Sequence, residues 1–246
     1  MTEELFRADA YLKECTATIA AIGDQGVVLD RTVFYPLGGG QAGDAGVLVL
    51  ADGTPLAIID TRKGKDAEGN FAPFIAHVPA PGQEAALASL KVGDTVTARV
   101  DWDRRHRLMR FHTTTHLLCH LVRQLVNGCS ITPDYARLDF NMTEPLDKEA
   151  LTQGIARLVA AAHPVAVSSI TDEELDANPA LVKSMSVQPP RGTGRIRTIR
   201  VGQDEPIDFQ PCGGTHVANT SEIGAVVVTK IEKKSATTRR VVLGFA

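Results

Sequence analysis

Two short stretches constrain this chain more than anything else in it: "HTTTH" at 112–116 and "PCGGTH" at 211–216. In the first, His112 and His116 are four residues apart within the strongest helical pattern of the sequence, so both imidazoles project from one face. In the second, Cys212 and His216 have the same spacing, but Gly213 and Gly214 stand between them. Each glycine would destabilise a helix by roughly 1 kcal/mol relative to alanine, so a tight loop is expected there. Two histidines leave a tetrahedral zinc ion short of ligands, and a thiolate with a third imidazole completes the set. A fold that builds this Zn2+ site must bring a late loop onto a much earlier helix.

The motif also excludes one class. In zinc peptidases with two helical histidines, the residue after the first is a glutamate that serves as general base; here it is Thr113. A metalloprotease is therefore not expected. His120, one turn further along the same face, competes as a ligand but drifts off the seam with the helical twist. Cys15, Cys119 and Cys129 have no paired spacing and read as core filling; His77, His106 and His163 stand in no constellation.

The pattern changes character near residue 100. Before it, "ATIAAIGDQGVVLDRT" and "GVLVLADGTPLAIID" read as hairpins, and "FAPFIAHV" and "GDTVTARVDW" as further strands, which together predict a small β-barrel. Between the hairpins, "RTVFYPLGGGQAGDAG" carries five glycines in nine residues and cannot be a strand interior. After residue 100 comes a helix capped by Asp101 or Asp103, with Leu118, Leu121, Val122 and Leu125 as its apolar stripe and Asn127-Gly128 as its stop. A second helix, "DKEALTQGIARLVAAAH", ends at Pro164, and a third starts at Thr171 with Glu174 closing a capping box. Strands surround them, ending in the hairpin "GAVVVTKIEK" and "TRRVVLGFA". The expectation is an α+β protein: an N-terminal β-barrel domain with the glycine-rich loop over 1–100, then a zinc-binding α+β domain over 101–246.

Charge is unevenly placed. Residues 1–100 hold 8 Lys and Arg against 13 Asp and Glu, and the remainder 18 against 16, so the basic residues gather in the second part. There they cluster at Arg104–Arg110, Arg191–Arg200 and Lys230–Arg240, a distribution that suits a phosphate-facing surface as well as solvated faces. No apolar run approaches the ~18 residues of a membrane helix, and "MTEELFRADAYLKE" has no apolar signal core, so neither a membrane nor export is expected. Four unpaired cysteines suit a reducing compartment, with the cytoplasm expected.

Together "HTTTHLL" (112–118), "PCGGTHV" (211–217) and "FYPLGGGQAGDAG" (34–46) resemble the editing domain of alanyl-tRNA synthetases, and still more its free-standing relatives, the AlaX alanyl-tRNA editing proteins. The motifs occur in the family's order and span nearly the whole chain. The resemblance implies a β-barrel followed by an α+β editing domain shared with threonyl-tRNA synthetases, with zinc on His112, His116, Cys212 and His216. The length suits the AlaX type that keeps the barrel but lacks a long C-terminal extension and an aminoacylation domain. The implied activity is hydrolysis, in trans, of tRNA(Ala) mischarged with serine, and secondarily with glycine.

By the same resemblance Thr32 would hydrogen-bond the serine hydroxyl, the one group that separates serine from alanine. Gln41 would hold the ester or terminal ribose, and Gly38, Gly39 and Gly40 would present backbone N–H groups to the substrate. Arg104, Arg105 and Arg110, nearest the zinc motif, would meet the acceptor stem. No carboxylate lies inside the ligand motifs; Asp44 and Asp208 are the available general bases. Two rival readings stand beside this one: a non-catalytic zinc module that binds RNA, and a general zinc hydrolase of small esters or peptides, which Thr113 disfavours.

Overall fold

A computed structural model describes residues 1–192 and 194–246; Thr193, within the 191–200 basic cluster, lies outside the described residues. The chain forms two compact units, one of residues 1–38 and 42–106, the other of residues 39–41 and 107–246.

In the first unit, six antiparallel strands close into a ring in the order Glu14–Gly23, Gly26–Leu29, Phe71–Pro79, Pro55–Lys65, Gly46–Val49 and Thr95–Val100, the last pairing back with the first. Both hairpins expected from turn residues form, one closing at Gly23 opposite Gly26, the other pairing Gly46–Val49 with Pro55–Lys65. Side chains alternate across each strand, so Val96, Ala98 and Val100 enter a core with Ala17, Ile19, Val27, Leu29, Leu48, Leu56 and Ile58. Closure leaves none of the six with a free edge. The short helix Glu84–Ser89 carries no clear start signal in the sequence.

The glycine-rich segment of this unit is tied down by charge. Asp44 accepts from the Tyr35 N–H at 2.6 Å and from the guanidinium of Arg105, which also donates to the carbonyls of Val33 at 2.5 Å and Ala10 at 2.9 Å. Both side chains are sealed from solvent. Removing one partner of such a buried pair costs about 3–5 kcal/mol, because the other charge is left uncompensated.

The second unit holds two antiparallel sheets. One runs in the order Val226–Ser235, Thr238–Phe245, Ala136–Asn141, Val126–Ile131; the other comprises Val165–Ile170, Ile196–Val201 and Asp208–Pro211. The helix Lys148–Ala160, capped by the Asp147 carboxylate on the N–H groups of Glu149 and Ala150, packs against Val226–Ser235. The capping box of Thr171 and Glu174 starts the helix Asp172–Ala177 as expected.

The long helix departs from its sequence pattern. It spans Trp102–Val122, with Asp101 as cap through its carboxylate on the Arg104 N–H. It ends earlier than the Asn127-Gly128 stop: Arg123 turns the chain through a positive φ of 52°, and Val126–Ile131 becomes a strand paired with Ala136–Asn141. Leu125, assigned to the apolar stripe, is exposed. Residues 111–119 are buried whichever way they point, so the helix is a central strut. No helix among the described residues is long and apolar enough to cross a membrane.

Candidate metal centre

All the ligand positions lie in the second unit. His112 and His116 stand one turn apart on the long helix, and the loop bearing Cys212 and His216 leaves the strand Asp208–Pro211. Arg197 on the neighbouring strand pins that loop from both sides. Its carbonyl accepts from the Cys212 N–H at 3.1 Å, and its guanidinium donates to the carbonyls of Cys212 at 2.6 Å and Gly214 at 3.0 Å. Gly214 is required by proximity: a Cβ there would stand 2.1 Å from Cε1 of His112. The two glycines let the loop close on the helix.

The four donor atoms of His112, His116, Cys212 and His216 lie within 4.8 Å of one another. Cys212 Sγ is 3.4 Å from His112 Nε2 and 3.3 Å from His216 Nε2. A tetrahedron built with zinc bond lengths has edges of about 3.3–3.6 Å, so the donor set fits a small four-coordinate ion. His120 stays outside this cluster, its Nδ1 turned to the Ile207 carbonyl at 2.8 Å.

Each histidine is oriented by a hydrogen bond on its far nitrogen. His116 Nδ1 meets Asp208 Oδ2 at 2.7 Å, and Gln210 Nε2 donates to the same oxygen at 2.8 Å. His112 Nδ1 meets Gln41 Oε1 at 2.7 Å; that oxygen also accepts from the Thr215 N–H, while Gln41 Nε2 donates to Thr215 Oγ1. His216 Nδ1 lies 3.2 Å from Thr113 Oγ1, whose one proton goes to the Met109 carbonyl. In all three cases Nδ1 faces an acceptor and must carry the hydrogen, which leaves the Nε2 lone pair to the centre.

The electrostatics agree at Cys212 and His216. Burial alone would raise the Cys212 thiol, but the neighbouring His112 and His216 outweigh it and hold its pKa well below the ordinary thiol value. Burial, then the neighbouring His112, drive His216 well below the usual imidazole value, which keeps it a neutral ligand. Burial pulls His116 down, yet Asp208 and Cys212 prevail and its pKa is pushed up to about 10, so without a metal this ring holds a second proton, on Nε2, which a bound ion would displace. By contrast, burial pushes the Cys129 thiol up to about 12 and raises Cys15 and Cys119, as inert core thiols require.

The remaining site positions fall as follows. Gly39, Gly40 and Gln41 join the metal-bearing unit: the Gly40 carbonyl accepts from the Ile131 N–H at 2.7 Å. Gly40 itself has a φ of 84° and abuts Cys129. Gln41 is buried, its amide committed to His112 and Thr215. Gly38 and Thr32 belong to the first unit. The Thr32 hydroxyl is buried, donates to His77 Nε2 at 2.8 Å and accepts from the Phe34 N–H at 3.0 Å; its direction is fixed because His77 Nδ1 donates to the Val27 carbonyl. Thus His77, which has no partner visible in the sequence, holds one in the fold.

The two aspartates considered as bases serve elsewhere, Asp208 on His116 and Asp44 on Arg105. Arg105 is sealed inside the first unit with its donors committed, a structural residue there and not an acceptor-stem contact. Arg104 donates to the Gly43 carbonyl and Arg110 to that of Ile223. In the two other basic clusters several side chains have local partners. Arg191 pairs with Asp176, Arg197 and Arg200 reach backbone carbonyls, Arg240 pairs with Asp139 and Lys230 with Glu232.

Residues 196–242, which include the metal loop, match the threonyl and alanyl tRNA synthetase second additional domain, and residues 5–104 match the class II (A) tRNA synthetases. Fold, ligand cluster and matches define a class of protein related to domains of aminoacyl-tRNA synthetases. The alanyl-tRNA editing protein AlaX-M of Saccharolobus solfataricus is 33% identical over 245 residues, 98% of each chain, and that of Methanosarcina barkeri 36% identical over 252 residues, 98% of this chain and 97% of the relative. The chain belongs to the AlaX-M alanyl-tRNA editing protein family. An alanine–tRNA ligase of Saccharolobus islandicus is 31% identical over 248 residues, 94% of this chain but 25% of the ligase.

Proposed function

We propose that this protein is a cytoplasmic trans-editing hydrolase that deacylates mischarged tRNA(Ala), chiefly Ser-tRNA(Ala), with Gly-tRNA(Ala) as a second substrate. The observation that carries the reading is the convergence of three imidazoles and one thiolate in a chain alignable end to end with AlaX-M proteins. The first 100 residues and the remainder act as its two domains. The metal is Zn2+, which three nitrogens and a thiolate suit. When bound, zinc supplies a Lewis-acid centre that orients the aminoacyl end and ties the long helix to the metal loop.

The chain's own residues do the rest. Thr32 reads the serine hydroxyl: its proton is committed to His77, so toward a ligand its oxygen only accepts, and alanine has nothing to donate. Gly38, Gly39 and Gly40 offer backbone N–H groups. Gln41 acts on the aminoacyl end through His112, the ring it orients. Arg104 and Arg110 meet the acceptor stem. A ribose hydroxyl of the substrate positions the attacking water, since Asp44 and Asp208 are both engaged.

That same engagement favours a second reading, a non-catalytic zinc module that binds RNA, because it leaves no carboxylate base among those considered. Deacylation assays with seryl-, glycyl- and alanyl-tRNA(Ala) side by side separate the two. Release of serine faster than alanine supports editing; binding without release overturns it. Metal analysis of His116→Ala and Cys212→Ala tests the ion, and full zinc occupancy in both would dismiss the ligand set.

A further inference from the structure

Arg107 and Arg110, almost one turn apart on the long helix, carry their guanidinium carbons over the ring of Phe245, at 4.5 and 4.1 Å from its centroid. Phe111 packs on the same ring at 4.1 Å. One backbone carbonyl holds each arginine: Arg107 Nε donates to Pro133 O and Arg110 Nε to Ile223 O, both at 2.7 Å. Gly224 leaves room for the second, since a Cβ there would stand 2.9 Å from Arg110 Nη2.

Most other arginines of the unit are engaged at their terminal nitrogens, and Arg123 and Arg157, which are not, stack on no ring among the described residues. Arg191 and Arg240 have aspartate partners, and Arg197, Arg200 and Arg239 turn terminal nitrogens onto carbonyls. Among the described residues, neither Arg107 nor Arg110 forms an ion pair, and their Nη atoms neither hydrogen-bond nor lie sealed from solvent. Stacking and the Nε bonds fix both stems, so little side-chain entropy remains to be lost on binding an anion.

We infer that Arg107, Arg110 and Phe245 form a platform for the phosphates of an RNA strand, an inference that rests on the proposed tRNA substrate. Each guanidinium keeps its two Nη groups for bidentate contact with phosphate oxygens, which a lysine cannot reproduce. Two such forks on one rigid ring suit the repeated charges of a polynucleotide, and contacts of this kind fix register without reading bases.

The test is binding of uncharged tRNA(Ala) over a KCl series, so that it does not depend on catalysis. Arg107→Gln and Arg110→Gln should each weaken binding about 3- to 10-fold near 0.15 M salt and flatten the log–log salt slope by about 0.7–0.9. Arg107→Lys and Arg110→Lys should keep the slope and still bind several-fold more weakly. Wild-type affinity and slope in the Gln variants, with wild-type circular dichroism and metal content, would overturn the platform. Should the Gln variants fail to fold, the Lys variants decide, and wild-type affinity in them would overturn it. Inorganic phosphate competing as well per charge as tRNA would also overturn it, marking a simple anion site. A protein that binds with these slopes but releases no serine would overturn the editing reading and leave the platform standing.

Discussion

The hydroxyl of Thr113 lies 3.2 Å from Nδ1 of His216, and it can only accept there, because its proton is given to the Met109 carbonyl. It accepts as well from the Val217 N–H, at 3.2 Å. A residue at the place where zinc peptidases carry a catalytic glutamate thus sets the tautomer of a candidate metal ligand and anchors the loop behind it.

Thr113→Val removes that acceptor and leaves two buried N–H groups without partners. Metal affinity, measured by competition with a chromogenic chelator, should fall about 10- to 100-fold. Thr113→Ser keeps the oxygen and should stay near wild type. Equal affinities in all three proteins would show that the hydroxyl does not orient His216.

Gly214→Ala places a methyl group 2.1 Å from the His112 ring. The ring or the loop must shift, at a cost of about 1–3 kcal/mol for overpacking. Bound metal per chain should drop and the thermal midpoint should fall by several degrees. Because the clash is with a ligand, chelator treatment should narrow the gap in midpoint between the variant and wild type; a gap that persists undiminished would place the damage outside the centre.

His77 supplies a pH dependence. Burial lowers its pKa from 6.5 to about 4, with the Val27 carbonyl opposing. The unfolded chain therefore binds this proton more readily than the folded one between pH 6.5 and 4. Stability contributed by the neutral ring is full above pH 6.5 and declines as pH falls, by about 3 kcal/mol in all once pH passes below 4. Urea unfolding from pH 7.5 to 4.5 should show wild type losing stability more steeply than His77→Gln. Parallel curves would contradict the assignment.

Thr32 must be tested with its partner in mind. Thr32→Val would leave His77 Nε2 without a donor, so part of any effect would be a loss of about 1–3 kcal/mol in stability. Thr32→Ser keeps the hydroxyl and serves as control. The ratio of seryl to alanyl deacylation, which a general stability loss leaves alone, should fall at least about tenfold in Thr32→Val and little in Thr32→Ser. An unchanged ratio in Thr32→Val would remove Thr32 from discrimination.

Local signals in the sequence were read well where the physics is local. Asp101 and the Thr171–Glu174 box cap helices as their spacing predicts, and Gly23 to Gly26 closes a hairpin. The end of the long helix was misread because Asn127-Gly128 has the chemistry of a stop, whereas strand pairing with Ala136–Asn141 is a non-local preference. The clusters of basic residues are legible only as charge, for a related reason. Spacing reveals charge, but not the aspartate or carbonyl that the fold sets against it.

By itself the sequence named the candidate ligand set: two histidines at helical spacing and a Cys–Gly–Gly–Thr–His loop contain both the donor chemistry and the backbone freedom such a site needs. Only the tertiary structure decided how those ligands are aimed. Gln41 reaches His112 across 71 positions and Asp208 reaches His116 across 92. A hydrogen bond depends on distance and angle in space, and nothing in the spacing of the chain encodes either.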